Sequence, residues 1–206
     1  MVAHLYRHVY ERYTLPLGHL CLRLGLTPNL LTVLSLIASS IAGLLFATGR
    51  YWLGLVFVLL MALGDMMDGA TARAGGTTNR FGGVLDHVSD RYAEFLLLFG
   101  ILLSGRVMPA WPFFAISGMI MASYVRAKAE SLGGLRQCTV GLAGRNEKLT
   151  LFVAGLIADL LWPHLHLLMW ALIAIGVLSH ITAGQRLLYT YQELARKERP
   201  TADNNV

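Results

Sequence analysis

Charge is scarce in this chain: Asp, Glu, Lys and Arg make up only 14% of its 206 residues, while hydrophobic residues make up 55%. Soluble domains carry about 25% charged residues. The proportions therefore exclude an ordinary soluble protein and predict one domain that is integral to a membrane. Cysteine is scarce too. Cys21 and Cys138 are the whole complement, show no metal-ligand spacing and fall in segments expected on the cytoplasmic side, so both read as free thiols. The N-terminal MVAHLYRHVYERYTLP lacks a cleavable apolar region and predicts no signal peptide. A net charge of +5 raises the question of nucleic acid. The basic residues, however, are separated by apolar segments too long for such a surface, and they suit the edges of a membrane instead.

What the chain does have is apolar runs of bilayer length. Residues 3–24 mix Leu, Val and Tyr with Arg7, Arg12 and Arg23 at helical intervals, which predicts an amphipathic helix lying in the interface and bent near Pro16. Thr27 and Pro28 form an N-cap and first-turn pair for a membrane helix over about 30–48. A second helix starts at the aromatic anchor Tyr51-Trp52, and further spans are expected over about 87–104, 109–125, 148–161 and 165–183. The Trp162-Pro163-His164 turn joins the last two. The predicted architecture is all-α, with six transmembrane helices in a domain over 27–195, the juxtamembrane helix over 1–26 and a disordered tail over 196–206.

The basic residues orient this bundle. Fifteen of the seventeen Lys and Arg fall at the N-terminus, the second and fourth connections and the tail, against Arg50 and Arg106 on the other side. That asymmetry predicts both termini in the cytoplasm of a multi-pass cell-membrane protein.

The stretch GDMMDGATARAGGTTNRFGGVLDHVSD lies on the same side. It places Asp65 and Asp68 three apart and Asp86 and Asp90 four apart, so each pair occupies one helix face. Four acids between two membrane-length helices demand a neutralising cation. Oxygen ligands with no His or Cys among them suit Mg²⁺ or Mn²⁺, and two such ions would balance four carboxylates. His87 sits between these acids in sequence, but its neighbours at helical spacing point elsewhere, and it is not expected to be a ligand. Gly69 and Gly82 beside the acids allow a ligand or a helix to approach the backbone closely.

Asp65-x-x-Asp68-Gly69-x-x-Ala72-Arg73, eight further residues, then Gly82-x-x-x-Asp86-x-x-x-Asp90 resembles the signature of the CDP-alcohol phosphatidyltransferases at every fixed position. The resemblance implies the six-helix fold and a reaction in which a small alcohol attacks a CDP-activated lipid and CMP leaves. It implies that Asp65, Asp68, Asp86 and Asp90 hold the metals and that Asp90 is also the base. Asn29, Thr32, Asp68, Gly69, Ala72, Arg73, Asn79 and Gly82 would contact the CDP-lipid. It further implies a homodimer.

Arg126 and Lys128 at the end of the fourth helix, Arg145 and Lys148 at the start of the fifth, and Arg186 at the exit of the sixth form a set of cations suited to an anion. SYVRAKAE, the later Arg145-x-Glu147-Lys148 and Gln185-Arg186 are most similar to the prokaryotic phosphatidylinositol-phosphate synthases and their archaeal ether-lipid counterparts. By that resemblance, Arg126, Lys128, Arg145 and Arg186 would bind the phosphate of inositol phosphate. Glycerol phosphate, the acceptor of phosphatidylglycerophosphate synthases, is the alternative. A divalent-cation transporter would spread its acids through the membrane depth; here they cluster at one end of two helices. His164, His166 and Asp159 are expected at the outer interface.

Overall fold

A computed structural model describes residues 14–76 and 80–198, and these are helical apart from turns and connections. Residues 14–23 form α1. Pro28–Ala47 is α2, Tyr51–Gly75 is α3, Arg80–Leu103 is α4, Ala110–Ser131 is α5, Arg145–Leu161 is α6 and Leu167–Glu198 is α7. The six long helices follow the expected order. Among the described residues, three of them are long and apolar enough to cross a membrane: α2, α3 and most of α7. The first part of the expected N-terminal helix lies outside the described residues, as do residues 199–206.

Several helices outrun the expected spans. α4 begins at Arg80 rather than near His87, and α5 continues to Ser131 rather than ending near Val125. α7 continues to Glu198 rather than ending near Ala183, so Arg196 to Glu198 are helical and not part of a disordered tail. Hydropathy marks where a bilayer ends, whereas a helix ends where its backbone hydrogen bonds stop. Nothing between Gln185 and Glu198 breaks that ladder, and the next proline is Pro200.

The chain divides into two compact units, residues 1–106 and 107–206. In the first, α2 packs along both α3 and α4. Thr27 caps α2 by accepting the Leu30 N–H at 3.3 Å, and Pro28 supplies the first turn. Glycines set the helix spacing. Gly43 of α2 and Gly100 of α4 meet backbone to backbone, leaving no room for a Cβ at either. Phe46 is fully buried over Gly54 at the α2–α3 turn. α1 closes with Gly25 at φ 74°, and the Leu26 N–H returns to the Cys21 carbonyl at 2.9 Å.

In the second unit, α5 and α7 pack closely, with Gly118 against Ser179 and Gly176 against Phe114. α6 joins α7 where Gly155 meets Ala171. Asp159 is buried within the protein, where its Oδ1 accepts the Leu168 N–H at 3.3 Å, which satisfies an orphan donor of the first turn of α7. His164 and His166 are exposed. Both cysteines are free and buried.

Candidate active site

The aspartates are assembled by two helix faces. On α3, a three-residue spacing turns Asp65 and Asp68 to one side, and α4 brings Asp86 to meet them. One carboxylate oxygen from each of these three lies within 4.8 Å of the other two. Asp68 is buried, while Asp65 and Asp86 are half-buried. Asp90 follows Asp86 by one turn of α4 and is not one of this trio.

Three carboxylates this close repel one another by on the order of a few kcal/mol per pair. Carboxylate oxygens are the donors that hard divalent ions take, and three of them gathered within 4.8 Å of one another fit such a cation in donor type and charge. Asp68 is further fixed from α2: the Thr32 hydroxyl, itself buried, lies 2.8 Å from Asp68 Oδ2. The same hydroxyl lies 3.1 Å from the Pro28 carbonyl. Its single proton can serve one acceptor at a time, and the shorter distance to a carboxylate favours Asp68. His87 Nδ1 stands 3.6 Å from Asp86 Oδ2, but the ring is largely exposed.

Of the remaining expected residues, Gly69 leaves space for Arg73, whose guanidinium folds back to within 3.1 Å of where a Cβ at 69 would stand. Ala72 and Gly82 are half-buried and Arg73 is exposed. Asn29 sits in the first turn of α2, three residues before Thr32. Asn79 lies outside the described residues. One neighbour of the site had no sequence signal. Gly18 of α1 packs directly on the Ala70 carbonyl, next to Gly69, and a lone glycine in a helix does not announce such a contact.

The four cations expected at the acceptor belong to the second unit, and each has defined surroundings there. Arg126 Nε donates to Glu130 Oε1 at 3.0 Å. Lys128 Nζ lies 5.6 Å from the centre of the Tyr124 ring. Arg145 opens α6, and Lys148 one turn later is buried. Arg186 donates through Nε to the Val140 carbonyl at 2.9 Å and through Nη1 to the Ala122 carbonyl at 2.7 Å.

Residues 25–182 match the sequence profile of the CDP-alcohol phosphatidyltransferases. The chain is 38% identical over 193 residues to a phosphatidylinositol phosphate synthase of Mycobacteroides abscessus, covering 88% of this chain and 84% of that one. It is 31% identical over 189 residues to an archaetidylinositol phosphate synthase of Methanothermobacter thermautotrophicus, covering 92% and 94%. Its fold is similar to the crystal structure of Mycobacterium tuberculosis phosphatidylinositol phosphate synthase with CDP-DAG bound, at a TM-score of 0.78 and 30% identity over 95% of this chain and 98% of that one. It is equally similar, at a TM-score of 0.78, to the complex of that enzyme with manganese and citrate, over 94% and 93%.

Proposed function

Because this chain belongs to the CDP-alcohol phosphatidyltransferase family, we propose that it moves a phosphatidyl or archaetidyl group from a CDP-activated lipid to a hydroxyl of inositol phosphate. The observation that carries this reading is the trio of carboxylate oxygens within 4.8 Å, in a chain whose similar structures include one with CDP-DAG and one with manganese. Asp65, Asp68, Asp86 and Asp90 would hold two Mg²⁺ or Mn²⁺ ions. When bound, such ions neutralise the diphosphate and make the acceptor hydroxyl more acidic.

This chain's residues do the rest. Asp90 takes the proton of the acceptor hydroxyl, whose oxygen forms a bond to the lipid-side phosphorus. The bond from that phosphorus to the bridging oxygen breaks, and CMP leaves with the electron pair. Thr32 holds Asp68 in place, while Asn29, Gly69, Ala72, Arg73, Asn79 and Gly82 receive the nucleotide end of the donor. Arg126, Lys128, Arg145 and Arg186 bind the acceptor's phosphate. Phosphoryl transfer needs this positioning more than covalent help. All six long helices would span the cell membrane, α1 would lie in its interface, and both termini and the aspartates would face the cytoplasm of a homodimer.

The test supplies purified protein with labelled CDP-lipid, Mg²⁺ and a panel of acceptors, and follows CMP. Release with inositol phosphate and not with inositol is expected. Release with glycerol phosphate alone would overturn the acceptor and leave the transfer chemistry standing.

A further inference from the structure

Residues 132–144 contain no helix or strand, yet their backbone is held at successive points by charged side chains from both neighbouring helices. Glu130, in the last turn of α5, accepts the Cys138 N–H at 3.0 Å on the same Oε1 that accepts from Arg126. Two residues on, Arg186 of α7 takes the Val140 carbonyl, and its fork reaches the Ala122 carbonyl on α5 as well. Gly141, at φ 151°, then lies on Thr182, where any Cβ would meet the threonine methyl. Underneath, Leu135 and Cys138 pack with Ala129 against Tyr189.

We propose that Glu130 is a positioning residue and that Arg186, beside its contact with the acceptor, is its counterpart, the two being the ends of a clamp that fixes 138–141 and so sets where α6 begins. Loops this long and irregular sample many conformations unless their backbone groups are bound. Here a carboxylate holds an N–H and a guanidinium holds a carbonyl two residues later, and both are charge-assisted bonds. The clamp matters because Gly144 leads directly into Arg145 and, one buried turn later, Lys148. Arg145 is one of the cations assigned above to the acceptor's phosphate, so this inference rests on that reading. It also gives Arg186 a task that charge alone cannot perform. A lysine would keep the positive charge but lacks the planar fork that bridges Val140 and Ala122.

Cys138 reports on the clamp because its side chain is fully buried beneath the loop. The experiment uses the full chain in detergent with Cys21→Ala, leaving Cys138 as the single thiol, and measures its rate of maleimide modification. Losing a charge-assisted bond should raise the rate about tenfold or more in Glu130→Ala and in Arg186→Lys. Glu130→Gln, whose amide oxygen still accepts from Cys138, should change it less. In the Glu130→Ala enzyme the acceptor KM should rise several-fold with the donor KM unchanged. Wild-type labelling rates in both Glu130→Ala and Arg186→Lys would overturn the clamp. Faster labelling with an unaltered acceptor KM would overturn its role in positioning. If the wild type uses no phosphorylated alcohol, the functional reading fails by itself, while labelling still decides whether the clamp exists.

Discussion

The Thr32 hydroxyl meets Asp68 Oδ2 at 2.8 Å, a buried bond between α2 and α3 that links residues 36 apart in the chain. Asp68 is the most buried member of the carboxylate trio, so its aim depends on what holds it. Partners that orient a ligand are typically worth about 10–100-fold in metal affinity. Thr32→Val should therefore weaken Mn²⁺ binding by about that factor, measured by calorimetry without any lipid donor present. Thr32→Ser should stay near wild type. If Thr32→Val binds Mn²⁺ as tightly as the wild type, the hydroxyl serves the donor and not the metal.

Asp90 follows Asp86 by one turn of α4, a place that suits a group handling a proton as well as charge. Asp90→Asn should keep donor binding, followed as a thermal shift with CDP-lipid, while CMP release falls by about 10²–10⁴-fold. Turnover at the wild-type rate would remove Asp90 as the base. Loss of donor binding as well would make it principally a ligand.

The acids were legible because their spacing works within single helices: three and four residues are the intervals at which side chains share a face. Helix order was legible for the same reason, since apolar runs of bilayer length separate the turns. Contacts made across the fold were not. Thr32 looked like a residue for the donor, and its bond to Asp68 depends on how α2 lies along α3. Arg186 looked like one more cation at a helix end, yet it reaches carbonyls 46 and 64 residues away. Asp159 gave no sign of a partner, but the turn through Trp162 to His166 carries α7 back onto it. Sequence distance conceals each of these, because backbone carbonyls and N–H groups carry no letter of their own.

The α2–α4 crossing depends on two glycines, and a methyl group is enough to test it. A Cβ on Gly100 would strike the Gly43 carbonyl, and backbone cannot step aside as a flexible side chain can. Overpacking of this kind costs about 1–3 kcal/mol, and each kcal/mol shifts the melting temperature of a protein this size by about 2–4 °C. Gly100→Ala should therefore melt several degrees low in detergent. Gly184→Ala on α7, where nothing lies within 4 Å of the new methyl, should be neutral or slightly stabilising. Equal behaviour of the two variants would mean the crossing relaxes easily.

Asp68→Asn should reverse its rank with metal. The amide keeps an oxygen for the Thr32 hydroxyl but removes one of three carboxylates whose oxygens lie within 4.8 Å of one another. In chelator, relief of that repulsion should let the variant melt at or above the wild type. With Mn²⁺ at about 100 times its dissociation constant, the wild type gains about 2.7 kcal/mol by binding that only the folded state performs. The variant has lost a charged ligand and should gain much less, so the wild type becomes the more stable of the two. Thermal melts with chelator and with Mn²⁺ read both signs. A variant less stable than the wild type by the same margin in both conditions would show that Asp68 serves packing, and that the trio is not held together by a cation.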